Sequence, residues 1–177
     1  MNNSGNLMET LQKALEMEEK GQKFYAEQVQ KVKNEVTKKT FTFLADNEKL
    51  HIENIKNFCN TLREKGELPG VDLESVKDKR AKDLNIFSKT IKEFDEKINP
   101  TDDDKKACEF AMEFENSGYK YYESMLKDAK DESLVKLLKF LLEEESRHYD
   151  GIQELYTYLT DSHNWFMYEE GTFPQGG

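Results

Sequence analysis

Leu44-Ala45-Asp46-Asn47-Glu48-Lys49-Leu50-His51-Ile52-Glu53-Asn54-Ile55 and Leu141-Leu142-Glu143-Glu144-Glu145-Ser146-Arg147-His148-Tyr149-Asp150-Gly151-Ile152 are two copies of one pattern, set 148 − 51 = 97 residues apart. Each copy spaces Leu, Glu, His and Ile by four, three and four residues, which puts the four side chains on one helical face. The stripes continue to Phe58 in the first copy and Leu155 in the second. A face with that period is the buried, apolar side of a helix. A glutamate and a histidine inside it are the anomaly on which the reading turns.

The same offset matches much else. Ala14 falls on Ala111, Glu18 on Glu115, Gly21 on Gly118, Tyr25 on Tyr122, Lys39 on Lys136 and Phe43 on Phe140, and Phe24 meets another aromatic, Tyr121. The chain therefore reads as two helix pairs of one design. Helix one is expected from about Leu7 to Val32 and helix two from about Glu35 to Lys65, closed by Gly66, Pro69 and Gly70. Helix three should start near Thr101-Asp102-Asp103-Asp104, where acidic side chains suit free N–H groups, and helix four should run from about Glu132 to Leu159. The expected stripe of helix one is Leu11, Leu15, Glu18, Gln22, Tyr25, Val29 and Val32. That of helix three is Cys108, Met112, Glu115, Tyr119, Tyr122, Leu126 and Ala129. Segment 71–99 joins the pairs, and its Leu84, Ile86, Phe87, Ile91, Phe94 and Ile98 predict a further helix in the connection. The fold class is all-α: an antiparallel four-helix bundle of two pseudo-symmetric helix pairs with a long crossover.

Composition sets the outer limits. The 177 residues carry 26 Lys plus Arg against 36 Asp plus Glu, a net charge of −10, where a nucleic-acid binder wants a basic face. No stretch of about 18 apolar residues is present, so no membrane span is expected. Met1-Asn2-Asn3-Ser4-Gly5-Asn6 lacks the pattern of an export signal. The two cysteines, Cys59 and Cys108, form no Cys-x-x-Cys, which suits a reducing cytosol and a cytoplasmic protein.

Glu48 and Glu145 each lie three residues before a histidine and 48 − 18 = 145 − 115 = 30 residues after a stripe glutamate. In antiparallel helix pairs such partners can share one level, so four carboxylates and two imidazoles converge at the bundle centre. Buried carboxylates cost several kcal/mol each unless neutralised. Four negative charges are balanced by two divalent cations, and oxygen donors with one imidazole per metal suit iron or manganese, with zinc as a further choice. Two metals about 3.5–4 Å apart, bridged by glutamate, could deliver two electrons to one oxygen species.

The doubled Glu and Glu-x-x-His pattern, over residues 8–160, resembles the rubrerythrin-related branch of the ferritin-like diiron proteins. The resemblance implies that Glu18, Glu48, His51, Glu115, Glu145 and His148 hold two iron ions, with Glu48 and Glu145 bridging. It implies that Tyr25 and Tyr122 hydrogen-bond the ligand carboxylates. It implies an oxidoreductase that reduces hydrogen peroxide or dioxygen with electrons from an external donor such as a rubredoxin, in a homodimer. The alternative is a ferroxidase or iron-handling protein, or a metal-binding protein without peroxidase turnover. Two departures stand out. Rubrerythrins proper carry another glutamate where this chain has Gly118, and no fused rubredoxin domain is expected from these residues.

Residues 1–162 are read as the bundle and 163–177 as an aromatic tail around Trp165, Phe166, Tyr168 and Phe173, expected to fold back over the bundle or a neighbouring subunit. His163 is read as a turn residue, Cys108 as a small core residue, and Cys59 is given no partner.

Overall fold

The computed structural model describes residues 3–70 and 101–161. The expected helix in 71–99, His163 and the aromatic tail lie outside the described residues. Four helices account for nearly all of the rest: α1 (Asn3–Val29), α2 (Glu35–Lys65), α3 (Asp102–Asp128) and α4 (Glu132–Thr160). No described helix is long and apolar enough to cross a membrane.

The helix ends follow local chemistry. Asn34 stands in extended backbone before α2, and its Oδ1 accepts from the Val36 and Thr37 N–H groups at 2.9 and 3.1 Å. Asp131 does the same before α4, accepting from Ser133 and Leu134 at 2.9 and 3.1 Å. These caps are 131 − 34 = 97 residues apart, so the repeat extends to the turns. Gly66 ends α2 in the left-handed conformation, φ 74°, and its N–H returns to the Leu62 carbonyl. Thr101 opens α3 with a reciprocal capping box to Asp104.

α1 starts at Asn3 rather than Leu7 and stops at Val29 rather than Val32. The N–H groups of Gln30, Lys31 and Val32 fold back onto the carbonyls of Glu27 and Gln28, closing the helix so that Asn34 can extend. Asp104 locks this turn from across the bundle. Its Oδ1 accepts from the backbone N–H groups of Lys33 and Asn34 at 2.8 and 3.1 Å.

The short turns make α1 with α2, and α3 with α4, close antiparallel neighbours. The two pairs then face each other across a shared core. That core has two apolar layers. One gathers Tyr25, Val36, Phe41, Leu44, Cys108, Ile152 and Leu155. The other gathers Leu11, Ile55, Phe58, Tyr122, Leu137, Leu138 and Leu141. Cys108 is fully buried, and its desolvated thiol is pushed up to about 12, in keeping with a packing role. Among the described residues both cysteines are free thiols.

The stripes of α2 and α4 are buried as expected. The other two need correction. The inward face of α3 runs Asp104, Ala107, Cys108, Ala111, Glu115, Gly118 and Tyr122, while Tyr119 is 40 % exposed. In α1, Ala14 and Gly21 are buried where Leu15 and Gln22 were expected. The reason is room. A Cβ at Gly118 would stand 2.5 Å from Glu145 Oε2, and one at Gly21 would stand 3.2 Å from Glu48 Cδ and 3.0 Å from a Phe114 ring carbon. The two matched glycines leave space for the two matched carboxylates, and beside them Gln22 is half-buried and Tyr119 exposed.

Candidate metal centre

Between the apolar layers lies a polar one. Glu18, Glu48, His51, Glu115, Glu145 and His148 are all buried, none more than 4 % exposed. Each of the four helices contributes, because each inward stripe carries its odd residue at the same level.

Glu48 sits at the middle. Its Oε2 lies 3.5 Å from His51 Nδ1, and its Oε1 lies 3.3 Å from His148 Nδ1. His51 Nδ1 also meets Glu18 Oε2 at 2.9 Å, and His148 Nδ1 meets Glu115 Oε2 at 3.5 Å. The imidazoles are nearly parallel, with ring centroids 5.5 Å apart. Both rings thus turn Nδ1 toward the carboxylates. Glu18, Glu48 and His51 form one cluster whose donor atoms lie within 4.8 Å of one another, and Glu48, Glu115 and His148 form another. Glu145 joins neither, but lies beside Glu115 and against Gly118.

The tyrosines cross over. Tyr25 on α1 donates its hydroxyl proton to Glu115 on α3, and Tyr122 on α3 donates to Glu18 on α1. Each tyrosine follows one glutamate by seven residues and serves the other. They brace the carboxylates from the two apolar layers to which they belong.

Without cations the cluster must hold protons. Burial, with Glu48 alongside, pushes the Glu18 carboxyl up to about 8. Burial and the neighbouring Glu115 raise Glu145 well above the carboxylate range. Burial opposes ionisation of Glu48 too, but the close approach of Glu18, His148 and His51 holds it well below its ordinary value. Burial works against charge on the histidines, yet Glu18 and Glu144 raise His51, and Glu115 and Glu48 raise His148 to about 10.

The donor set fits divalent cations. Among the described residues four buried atoms at the centre make no well-formed hydrogen bond: Glu115 Oε2, Glu145 Oε2, and both ring nitrogens of His148, whose Nδ1 has only the 3.3 and 3.5 Å carboxylate contacts. Buried polar atoms are rarely left so in a finished core, and carboxylate oxygens with imidazole nitrogens are what iron, manganese or zinc take. A cavity of about 230 Å³ reaches the same side, lined by Glu115, Asn116, Tyr119, Glu145, Ser146 and Tyr149.

One buried acid was missed by sequence reasoning. Glu144, 3 % exposed, holds Oε2 at 3.5 Å from His51 Nε2, the nitrogen turned away from the cluster. Its Oε1 accepts from Arg147 at 2.8 Å. In sequence it is the middle of a Glu143-Glu144-Glu145 run and falls beside the stripe. The available signal was chemical: a histidine that offers one nitrogen to a metal needs a partner for the other.

No curated protein and no solved structure matches the chain. The family model described as Rubrerythrin matches residues 9–156, which covers both Glu-x-x-His motifs, their partner glutamates and both tyrosines. With four helices bringing those residues into one buried layer, the chain belongs to the rubrerythrin family.

Proposed function

We propose that the protein is a diiron-carboxylate oxidoreductase that reduces hydrogen peroxide with electrons from a separate donor such as a rubredoxin. The observation that carries this reading is Glu48, one carboxylate whose two oxygens face two different histidine Nδ1 atoms at 3.5 and 3.3 Å. That is a seat for a pair of cations rather than for one. Glu18, Glu48 and His51 would hold the first ion, and Glu115, Glu145, His148 and the shared Glu48 the second. Two iron ions bound there supply the two electrons that cleavage of an O–O bond consumes.

The chain's own residues do the rest. Glu18, Glu115 and Glu145 supply carboxylates that can change their mode of contact as the charge between them changes. Tyr25 and Tyr122 donate hydrogen bonds to Glu115 and Glu18, fixing carboxylate orientation from outside the cluster. The apolar layers on either side keep bulk water away from the reacting groups. The 230 Å³ cavity beside Glu115 and Glu145 offers a small neutral oxidant a way to the centre. As part of the same reading, the protein acts in the cytoplasm as a homodimer.

A second reading, ferroxidase, draws on Gly118. The Glu145 carboxylate occupies the space beside that glycine, which leaves a compact set of six donors without the further glutamate of rubrerythrins proper. Loading the full chain with ferrous iron without oxygen, then mixing it with peroxide or with dioxygen in a stopped-flow cell, separates the two. The peroxidase reading expects oxidation by peroxide to be much the faster. Comparable rates, or faster oxidation by dioxygen, would assign the chain to iron oxidation instead.

A further inference from the structure

The two halves of the polar layer are repeat-related but not equal. His51 Nε2 faces the buried Glu144 carboxylate at 3.5 Å, and Arg147 grips the other oxygen of that carboxylate at 2.8 Å. Shifting by 97 residues, 144 − 97 = 47 and 147 − 97 = 50, so the corresponding residues on α2 are Asn47 and Leu50. Asn47 is a buried neutral amide, and Leu50 is 46 % exposed and apolar. Among the described residues His148 Nε2 has no hydrogen-bond partner. Glu144 also approaches a His148 nitrogen, within 4.8 Å, but makes no hydrogen bond to it.

We propose that the two cation positions bind unequally, and that Glu144 is the positioning residue that makes the His51 position the tighter. A carboxylate on the far nitrogen of a metal-bound imidazole fixes the ring's tautomer and orientation and makes the near nitrogen a better donor. Arg147 keeps that carboxylate in place and balances its charge, so the pair adds no net charge to the cluster. The His148 ring has no such anchor. Its carboxylates also stand farther off: Glu48 and Glu115 lie 3.3 and 3.5 Å from His148 Nδ1, whereas Glu18 reaches His51 Nδ1 at 2.9 Å. Loss of an outer partner of this kind weakens metal affinity by about 10–100-fold, and the two positions should differ by that factor. The first cation therefore enters between Glu18, Glu48 and His51, and the second completes the pair beside the cavity.

This inference rests on the reading that the layer holds two cations, and one titration tests both. Co²⁺ is added without oxygen to the metal-free full chain, following visible absorbance and binding heat. The expected result is two ions per chain in two steps whose affinities differ by about 10–100-fold. In Glu144→Gln the total stays at two, the steps merge, and the exchangeable ring N–H resonance of His51 in the Co²⁺ form exchanges faster with solvent. Asn47→Glu, the reverse change, should tighten the weaker step. It also provides a second route should Glu144→Gln fold poorly. Two ions bound in a single step by the wild type would overturn the inequality while leaving the metal pair intact. Loss of a whole ion in Glu144→Gln would make Glu144 a ligand and overturn its positioning role. Fewer than two ions in the wild type would remove both readings.

Discussion

The polar layer and the apolar layers flanking it are built on the same four helices, yet they answer to different demands. Above and below the centre, Phe41, Leu44, Ile55, Leu137, Leu141 and Ile152 close the core with hydrocarbon that stabilises the fold on burial. At the centre six ionisable groups occupy positions that hydrocarbon would fill at lower cost. The outer layers make the bundle. The middle layer weakens the metal-free bundle and makes chemistry available.

That contrast can be broken most forcibly at Glu48. Since it faces both histidines, Glu48→Gln should abolish tight binding of both cations, read as metal per chain after dialysis. Retention of two ions would end the idea of a shared carboxylate. Phe41→Ala should do the converse, costing about 3–5 kcal/mol of stability in denaturant unfolding while the metal count stays at two. A smaller and more discriminating effect comes from pH. Glu18 at about 8 and His148 at about 10 lie above their unfolded values, so as pH rises the unfolded chain loses these protons first. The stability they contribute is complete below the unfolded values and is lost as pH climbs through 8 and 10. The metal-free chain should therefore unfold more easily at pH 9 than at pH 6. Cations compete with the same protons, so metal affinity should increase over that interval, and a flat profile in both measurements would contradict the proton-held cluster. The smallest effect is Tyr122→Phe. It removes one hydrogen bond to Glu18 and should cost about 1–2 kcal/mol or less, with a changed visible spectrum of the Co²⁺ form and an unchanged count.

Much of this was legible in the chain because helices advertise themselves locally. Asn34, Gly66, Thr101 and Asp131 act on neighbours within four residues, and the bounds of α2 agree with the sequence at both ends. The six polar residues stood out because each interrupts an apolar period, and the structure buries all six. Contacts between helices were less visible. A heptad reading favoured Tyr119 over Gly118 because it ranks side chains by hydrophobicity, whereas packing there is decided by the space the Glu145 carboxylate needs. Nothing local says that Tyr25 and Tyr122 cross to each other's glutamate, or that Asp104 reaches the Lys33–Asn34 turn. Glu144 was hidden by its acidic neighbours, and its difference from Asn47 acquires meaning only once His51 has a second nitrogen to satisfy.

The central claim is that a pair of cations neutralises the buried acids of this layer. Crystals of the full chain, grown with ferrous iron in the absence of oxygen and measured at the iron absorption edge, address it directly. The account predicts two anomalous peaks among the Glu18, Glu48, Glu115 and Glu145 carboxylates, on the Nδ1 side of the His51 and His148 rings. A centre with no peak, or iron bound only on the outer faces of the helices, would contradict it.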